Sequence, residues 1–190
     1  MEVSTIIFLG IIAAVAMYVV TIYNNLVSVK HSVDKAWANI DVLLKQRHDE
    51  LPKLIETCKQ YMAHEKDTFE RVIQARSAVS SARQKGDVSS LGPAESQLRM
   101  GLGNLFAVAE AYPELKANDN FKQLQARISG LEDAIADRRE FFNESVNTNN
   151  VRIEQFPDVV IARFFNFKEK DLLVFTEEEK KDVDVKALFG

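Results

Sequence analysis

Three histidines, one cysteine and a group of serines are the residues of this 190-residue chain whose types could carry catalysis or hold a metal. His31, His48 and His64 are spaced 17 and 16 apart, which puts them on different faces of a helix. His64-Glu65 opens like the two-histidine zinc-protease motif, but Thr68 stands where the second ligand belongs. Ser28, Lys45 and Tyr61 hold the places three residues before the histidines, so the Glu-x-x-His unit of a carboxylate-bridged di-metal bundle is missing. Cys58 falls on an apolar helical stripe, the setting of a buried, inert thiol. Ser77, Ser80, Ser81, Ser89 and Ser90 gather at a helix end and the loop after it, where hydroxyls cap and turn. These residues point to no enzyme, no cofactor and no metal.

Composition narrows the classes further. The chain carries 24 Lys+Arg against 28 Asp+Glu, a net charge of −4, and no cluster of basic residues, which argues against a nucleic-acid partner. With 7 Gly and 1 Cys, neither a Gly-rich phosphate loop nor a disulfide framework is available. The length fits one modest domain.

The elements that would position any site begin with a membrane span. Val3 to Ile22 is a run without a charged residue, and twenty helical residues rise about 30 Å, the thickness of a bilayer's hydrocarbon core. Tyr18 and Tyr23 sit near its C-terminal end, where interfacial aromatics belong. Ala14-Val15-Ala16 has the form of a signal-peptide cleavage site, but no Lys or Arg precedes the run and it continues through Tyr18-Val19-Val20. It is therefore read as an uncleaved anchor. Lys30 and Lys35 on its C-terminal side lean the following domain towards the cytoplasm.

From Asn24 to about Arg83 one proline and no glycine interrupt the chain. Val33, Trp37, Ile40, Leu44, Leu51, Ile55, Cys58, Met62, Phe69 and Ile73 fall within about 60° on a helical wheel, a narrow stripe of the coiled-coil or bundle type. Pro52 should kink or split this helix near Asp49. Lys85 to Pro93 reads as the clearest break, with Pro93 in the first turn of a second helix from about Ala94 to Tyr112. Asn118 or Asp119 then caps a third helix, from about Asn120 to Gln155, with its own stripe from Phe121 to Ile153.

The predicted fold is all-α: a single N-terminal transmembrane helix, then an antiparallel bundle of three long helices plus a short C-terminal helix. Residues 1–23 form the anchor and 24–155 the bundle. Residues 156–190 hold an aromatic helix and a tail, acidic and loosely ordered from Thr176 to Asp184. The aromatic segment either closes the bundle or lies at a membrane interface or subunit contact.

Polar residues interrupt the stripes at His48, Glu65 and Arg139. Pairing of Arg139 with Asp41, Asp49 or Glu65 would fix helix register. The stripe from Val33 through Trp37, Ile40 and Leu44 to Leu51 faces a shortage of covering surface, because a first helix of about 60 residues outruns a second of about 19. That shortage predicts homo-oligomers.

Several runs together are similar to the LemA family. They are Tyr23 to Val27, Ala36-Trp37-Ala38-Asn39-Ile40 through Arg47-His48-Asp49-Glu50-Leu51-Pro52, Tyr61 with His64-Glu65, and Arg76. Ala111-Tyr112-Pro113-Glu114-Leu115-Lys116-Ala117, Arg138-Arg139 with Phe142-Asn143, and Phe156-Pro157 complete them. Lys53 and Phe142 depart from the usual Asn and Tyr, and Asn149-Asn150-Val151-Arg152 lacks the usual second Tyr-Asn pair. The resemblance implies a bacterial membrane protein with one N-terminal span and a helical bundle, without known enzymatic activity.

The reading that results is a membrane-anchored scaffold or self-assembling interaction module of the bacterial envelope, in the cytoplasmic (inner) membrane. Its partners would be the lipid bilayer, further copies of the chain and a membrane protein. The alternative is a regulatory subunit that holds a membrane protease or kinase. If Arg139 is a buried register residue, Arg139→Ala should lower stability in a thermal melt by well over about 0.5 kcal/mol.

Overall fold

The computed structural model describes residues 3–174, and the acidic stretch from Thr176 to Asp184 lies outside them. Six helices follow one another: α1 (Val3–Lys59), α2 (Lys66–Lys85), α3 (Val88–Ala109), α4 (Pro113–Ala117), α5 (Asp119–Glu154) and α6 (Asp158–Phe164). No strand occurs among the described residues. The described residues divide into two compact units, one of residues 3–38 with 141–171 and one of residues 39–140 with 172–174.

Pro52 neither ends nor splits α1, which runs through it to Lys59. A proline has no N–H to give the carbonyl four residues back, here that of His48. Arg76 of α2 replaces the missing donor: its Nε donates to the His48 carbonyl oxygen at 3.1 Å. The break falls instead at residues 60–65, which contain neither Pro nor Gly. Tyr61 and Met62 both donate their N–H to the Cys58 carbonyl, at 3.0 and 2.9 Å, and the Met62 side chain is wholly buried. Asn118 Nδ2 donates to the Tyr61 hydroxyl at 3.1 Å, and the Tyr112 hydroxyl donates to Glu65 Oε1 at 3.0 Å. Tertiary contacts thus turn a chain whose local propensity is to continue as a helix.

The second unit is a four-helix arrangement. Along α1 and α2, Asp41 meets Arg83 and His48 meets Arg76, so these helices run antiparallel. Arg47 meets Glu132 and Glu50 meets Arg127, which makes α1 and α5 antiparallel too. α2 and α3 form a hairpin closed by Gly86 in the left-handed region and by Asp87, whose carboxylate accepts from the Ser90 N–H at 3.0 Å. The Ser89 and Ser90 hydroxyls donate to the same carboxylate and draw it down to about 2. The second helix therefore begins at Val88, one turn earlier than the Gly92-Pro93 pair predicts, and both residues lie inside α3.

The stripe expected to lack cover is covered within the chain. Ile40, Leu44 and Leu51 are buried in the second unit, and Val33 in the first, where Trp37 packs on Phe142 with ring centroids 5.6 Å apart. The predicted shortage disappears because the first long helix is two helices, α1 and α2, and because α5 spans 36 residues. Ile73 is the exception on that stripe, at 41% exposed.

Gly92 lies on the buried side of α3, where an added Cβ would run into the Val174 carbonyl oxygen. Leu173 beside it is 1% exposed. A helical glycine costs about 0.5–1 kcal/mol against alanine, so this position is justified only by the close backbone. We expect Gly92→Ala to displace residues 172–174 despite its better helix propensity. Limited proteolysis should then cut the variant C-terminal to α6 well before wild type.

Candidate functional site

Groups of three or more His, Cys, Asp or Glu positioned to share a metal do not occur among the described residues. Burial pushes the Cys58 thiol up to about 12, so it is protonated at neutral pH. His48 is clamped: Arg76 Nη2 lies 2.8 Å from its Nε2, and arginine can only donate, so Nε2 is the acceptor and Nδ1 carries the proton. Partial burial and the Arg76 charge both push the His48 imidazole below its usual value and keep it neutral. His31 and His64 are exposed.

The dominant charged feature is one the sequence reading did not single out. Arg47 of α1 is 1% exposed and stands between two carboxylates: Nη2 donates to Glu95 Oε1 of α3 and Nη1 to Glu132 Oε1 of α5, each at 2.5 Å. Burial alone would push the guanidinium down, but both carboxylate charges and both hydrogen bonds outweigh it and hold Arg47 above its usual value. Arg99 approaches the other Glu132 oxygen at 3.7 Å. Glu50, also buried, is flanked by Lys53 at 3.2 Å and Arg127 at 3.2 Å. Lys53, a departure from the LemA pattern, thus has a carboxylate to neutralise.

Of the residues named for a register pair, Asp41 pairs with Arg83 at 2.9 Å, Glu65 accepts from Tyr112, and Asp49 is exposed. Glu65, as acceptor, pushes the Tyr112 hydroxyl up. Arg139 is buried at 4% exposure and lines a small cleft with Glu95, Arg99 and Glu132, beside the Arg47 network. The signal for Arg47 was present in the spacing: Ile40, Leu44, Arg47 and Leu51 keep a four-three-four rhythm, and the slot after Leu44 falls on Arg47 rather than His48.

The first unit holds a cleft of about 620 Å³ lined by Tyr23, Val27, Lys30, His31, Asn149 and the segment from Phe165 to Lys170. It begins one residue beyond Ile22, the last residue of the predicted span. Asn149 and Asn150 of α5 shape its wall. Asn150 mimics a strand partner, donating to the Lys170 carbonyl at 2.9 Å and accepting the Lys170 N–H at 3.0 Å. Asn149 donates to the Lys168 carbonyl at 3.4 Å. These amides hold the backbone of residues 168–170 against α5. Lys170 reaches Asp34 at 3.4 Å, and Glu169 adds a negative charge to a rim otherwise made basic by Lys30 and Lys168. The cleft offers aromatic faces and cations, and its only carboxylate is that of Glu169.

Arg47→Ala should destabilise the protein by about 3–5 kcal/mol, because Glu95 and Glu132 would be left charged without their buried partner. Arg47→Met, which restores the buried volume but not the charge, should remain clearly less stable than wild type. Chemical denaturation measures both.

A profile of the LemA family matches residues 36–187. The chain is 24% identical over 200 residues to magnetosome protein MamQ 2 of Paramagnetospirillum magneticum, covering 93% of this chain and 72% of that one. It is 28% identical over 167 residues to Protein LemA of Metamycoplasma hominis, covering 87% and 74%. With four-fifths of its length inside the profile, the chain belongs to the LemA family.

Proposed function

We propose that this protein is a non-enzymatic scaffold or self-assembling module of the bacterial envelope, anchored in the cytoplasmic membrane by Val3–Ile22. The observation that carries the reading is α1 itself. Its first twenty residues form an apolar segment long enough to cross a membrane, with side chains from Val3 to Val20 open to the surroundings, and the same helix supplies Arg47 to the ion network. A segment so predominantly apolar and so exposed along its length is stabilised by lipid rather than by water. Ion pairs hold the buried Arg47, Glu50 and Glu95 of the second unit, which supports a binding body over a reacting centre. Similarity to two bacterial proteins supports the bacterial setting, and the exposed Lys30 and Lys35 support a cytoplasmic bundle.

A second reading, a regulatory subunit that holds a membrane protease or kinase, gains from one observation. Val33, Ile40, Leu44 and Leu51 are buried within a single chain, so they supply no surface for a further copy. Self-association must then use outer surface, such as the groove between α2 and α3 lined by Arg71, Gln74, Gln97 and Met100, the last 53% exposed. Light scattering of the full-length protein in mild detergent, with the detergent mass subtracted, separates the two. The scaffold reading expects a discrete multiple of 21.5 kDa. A monomer that captures one stoichiometric membrane protein would replace it with the regulatory reading.

A further inference from the structure

α6 is built inside out for a helix in water. Asp158 and Ala162, four residues apart on one face, are 5% and 1% exposed, while Val160 and Phe164, on the opposite face, are 57% and 81% exposed. Phe156, in the turn before α6, is 84% exposed, and Phe165 after it is 47% exposed. The buried Asp158 is balanced by Arg152 of α5, whose Nε lies 3.3 Å from its carboxylate. A helix that turns its carboxylate inward, with an ion pair to compensate, and Val160 and Phe164 outward has an apolar face towards its surroundings, while Ile161 packs on the core.

The place of α6 along the chain identifies that solvent. Ala162 shares one apolar cluster with Ile22 and Leu26 of α1 and Ile153 of α5. Tyr23 packs on Phe165 in a tilted pair with ring centroids 4.7 Å apart, and Phe165 in turn meets Phe164 edge-on at 5.0 Å. Ile22 is the last residue of the apolar segment, and Leu26 lies about 6 Å further along the helix axis. The interfacial layer of a bilayer is itself about 6 Å deep on each side. A helix packed on Ile22 and Leu26 therefore lies within that layer, its exposed aromatics continuous with the lipid-facing surface of the span.

We propose that the outer face of α6, carrying Val160 and Phe164 with the flanking Phe156, docks into the interfacial layer of the same bilayer that α1 crosses. The inference rests on the anchoring reading above. Aromatic and aliphatic groups settle where acyl chains meet headgroups, with Lys30 and Lys168 of the adjoining cleft beside anionic headgroups. The span and α6 then fix two points of the first unit at the membrane surface, which a single anchor alone does not do.

The test uses the full-length chain in phospholipid vesicles with Trp37→Phe as background, since Trp37 is the only tryptophan. Phe164→Trp and, separately, Ile12→Trp introduce single reporters at exposed positions. Lipids brominated near the headgroup end or near the methyl end of the acyl chain serve as depth quenchers. The expected result is blue-shifted Phe164→Trp emission, quenched several-fold more by the shallow bromines, with Ile12→Trp quenched more by the deep ones. If Ile12→Trp is quenched and Phe164→Trp keeps a water-like emission open to aqueous iodide, α6 does not dock and the anchor stands. A blue-shifted Phe164→Trp that no brominated lipid quenches is covered by protein, a second copy included, and also overturns the proposal. Loss of quenching at both positions overturns the anchor together with it.

Discussion

A positive charge in the middle of the second unit is the constraint around which the rest is arranged. Arg47 has almost no contact with water, and a guanidinium in that position is tolerated only where carboxylates surround it with good geometry. α1, α3 and α5 each contribute one member of the Arg47, Glu95 and Glu132 group, so their mutual register is set by the reach of three side chains. Leucines tolerate small slips along a helix, whereas two charged hydrogen bonds at 2.5 Å do not. Apolar residues above and below, Leu44 and Leu51 on α1, supply the burial that makes the charge expensive to misplace.

The first unit follows a different rule. Its apolar residues face outward along the span and on α6, and its polar backbone groups near the cleft are closed by two asparagines. A small aromatic cluster of Tyr23, Phe165 and Phe167 joins the end of the span to the segment after α6. The exposed apolar side chains of residues 3–20, with Val160 and Phe164 of α6, thus contrast with the many charged residues of α2 and α5.

Much of this was legible from residue pattern, because it depends on local chemistry. The apolar run of Val3–Ile22, the Asn118 side chain that caps α5 through the Phe121 N–H, and the stripe of Phe121, Ile128, Ile135, Phe142, Val146 and Ile153 all follow from short-range rules. What escaped depends on partners distant in sequence. Pro52 signals a break that Arg76 cancels from 24 residues away, and residues 60–65 turn for want of any local cue. Gly92 resembles a loop glycine until Val174 is seen against it. The Arg47 site was missed because a cation beside His48 and Asp49 looks like solvated surface, and its carboxylates lie 48 and 85 residues further on.

The arginine that completes the backbone of α1 at Pro52 changes what kind of object that helix is. An uninterrupted α-helix is self-sufficient, each carbonyl served by its own chain. In α1 the turn from His48 to Pro52 instead borrows a donor from α2, and the same guanidinium holds the His48 ring. Continuity at that turn is therefore a property of two helices rather than one, its closing donor standing on α2, five residues from the arginine on which the packing of three helices converges.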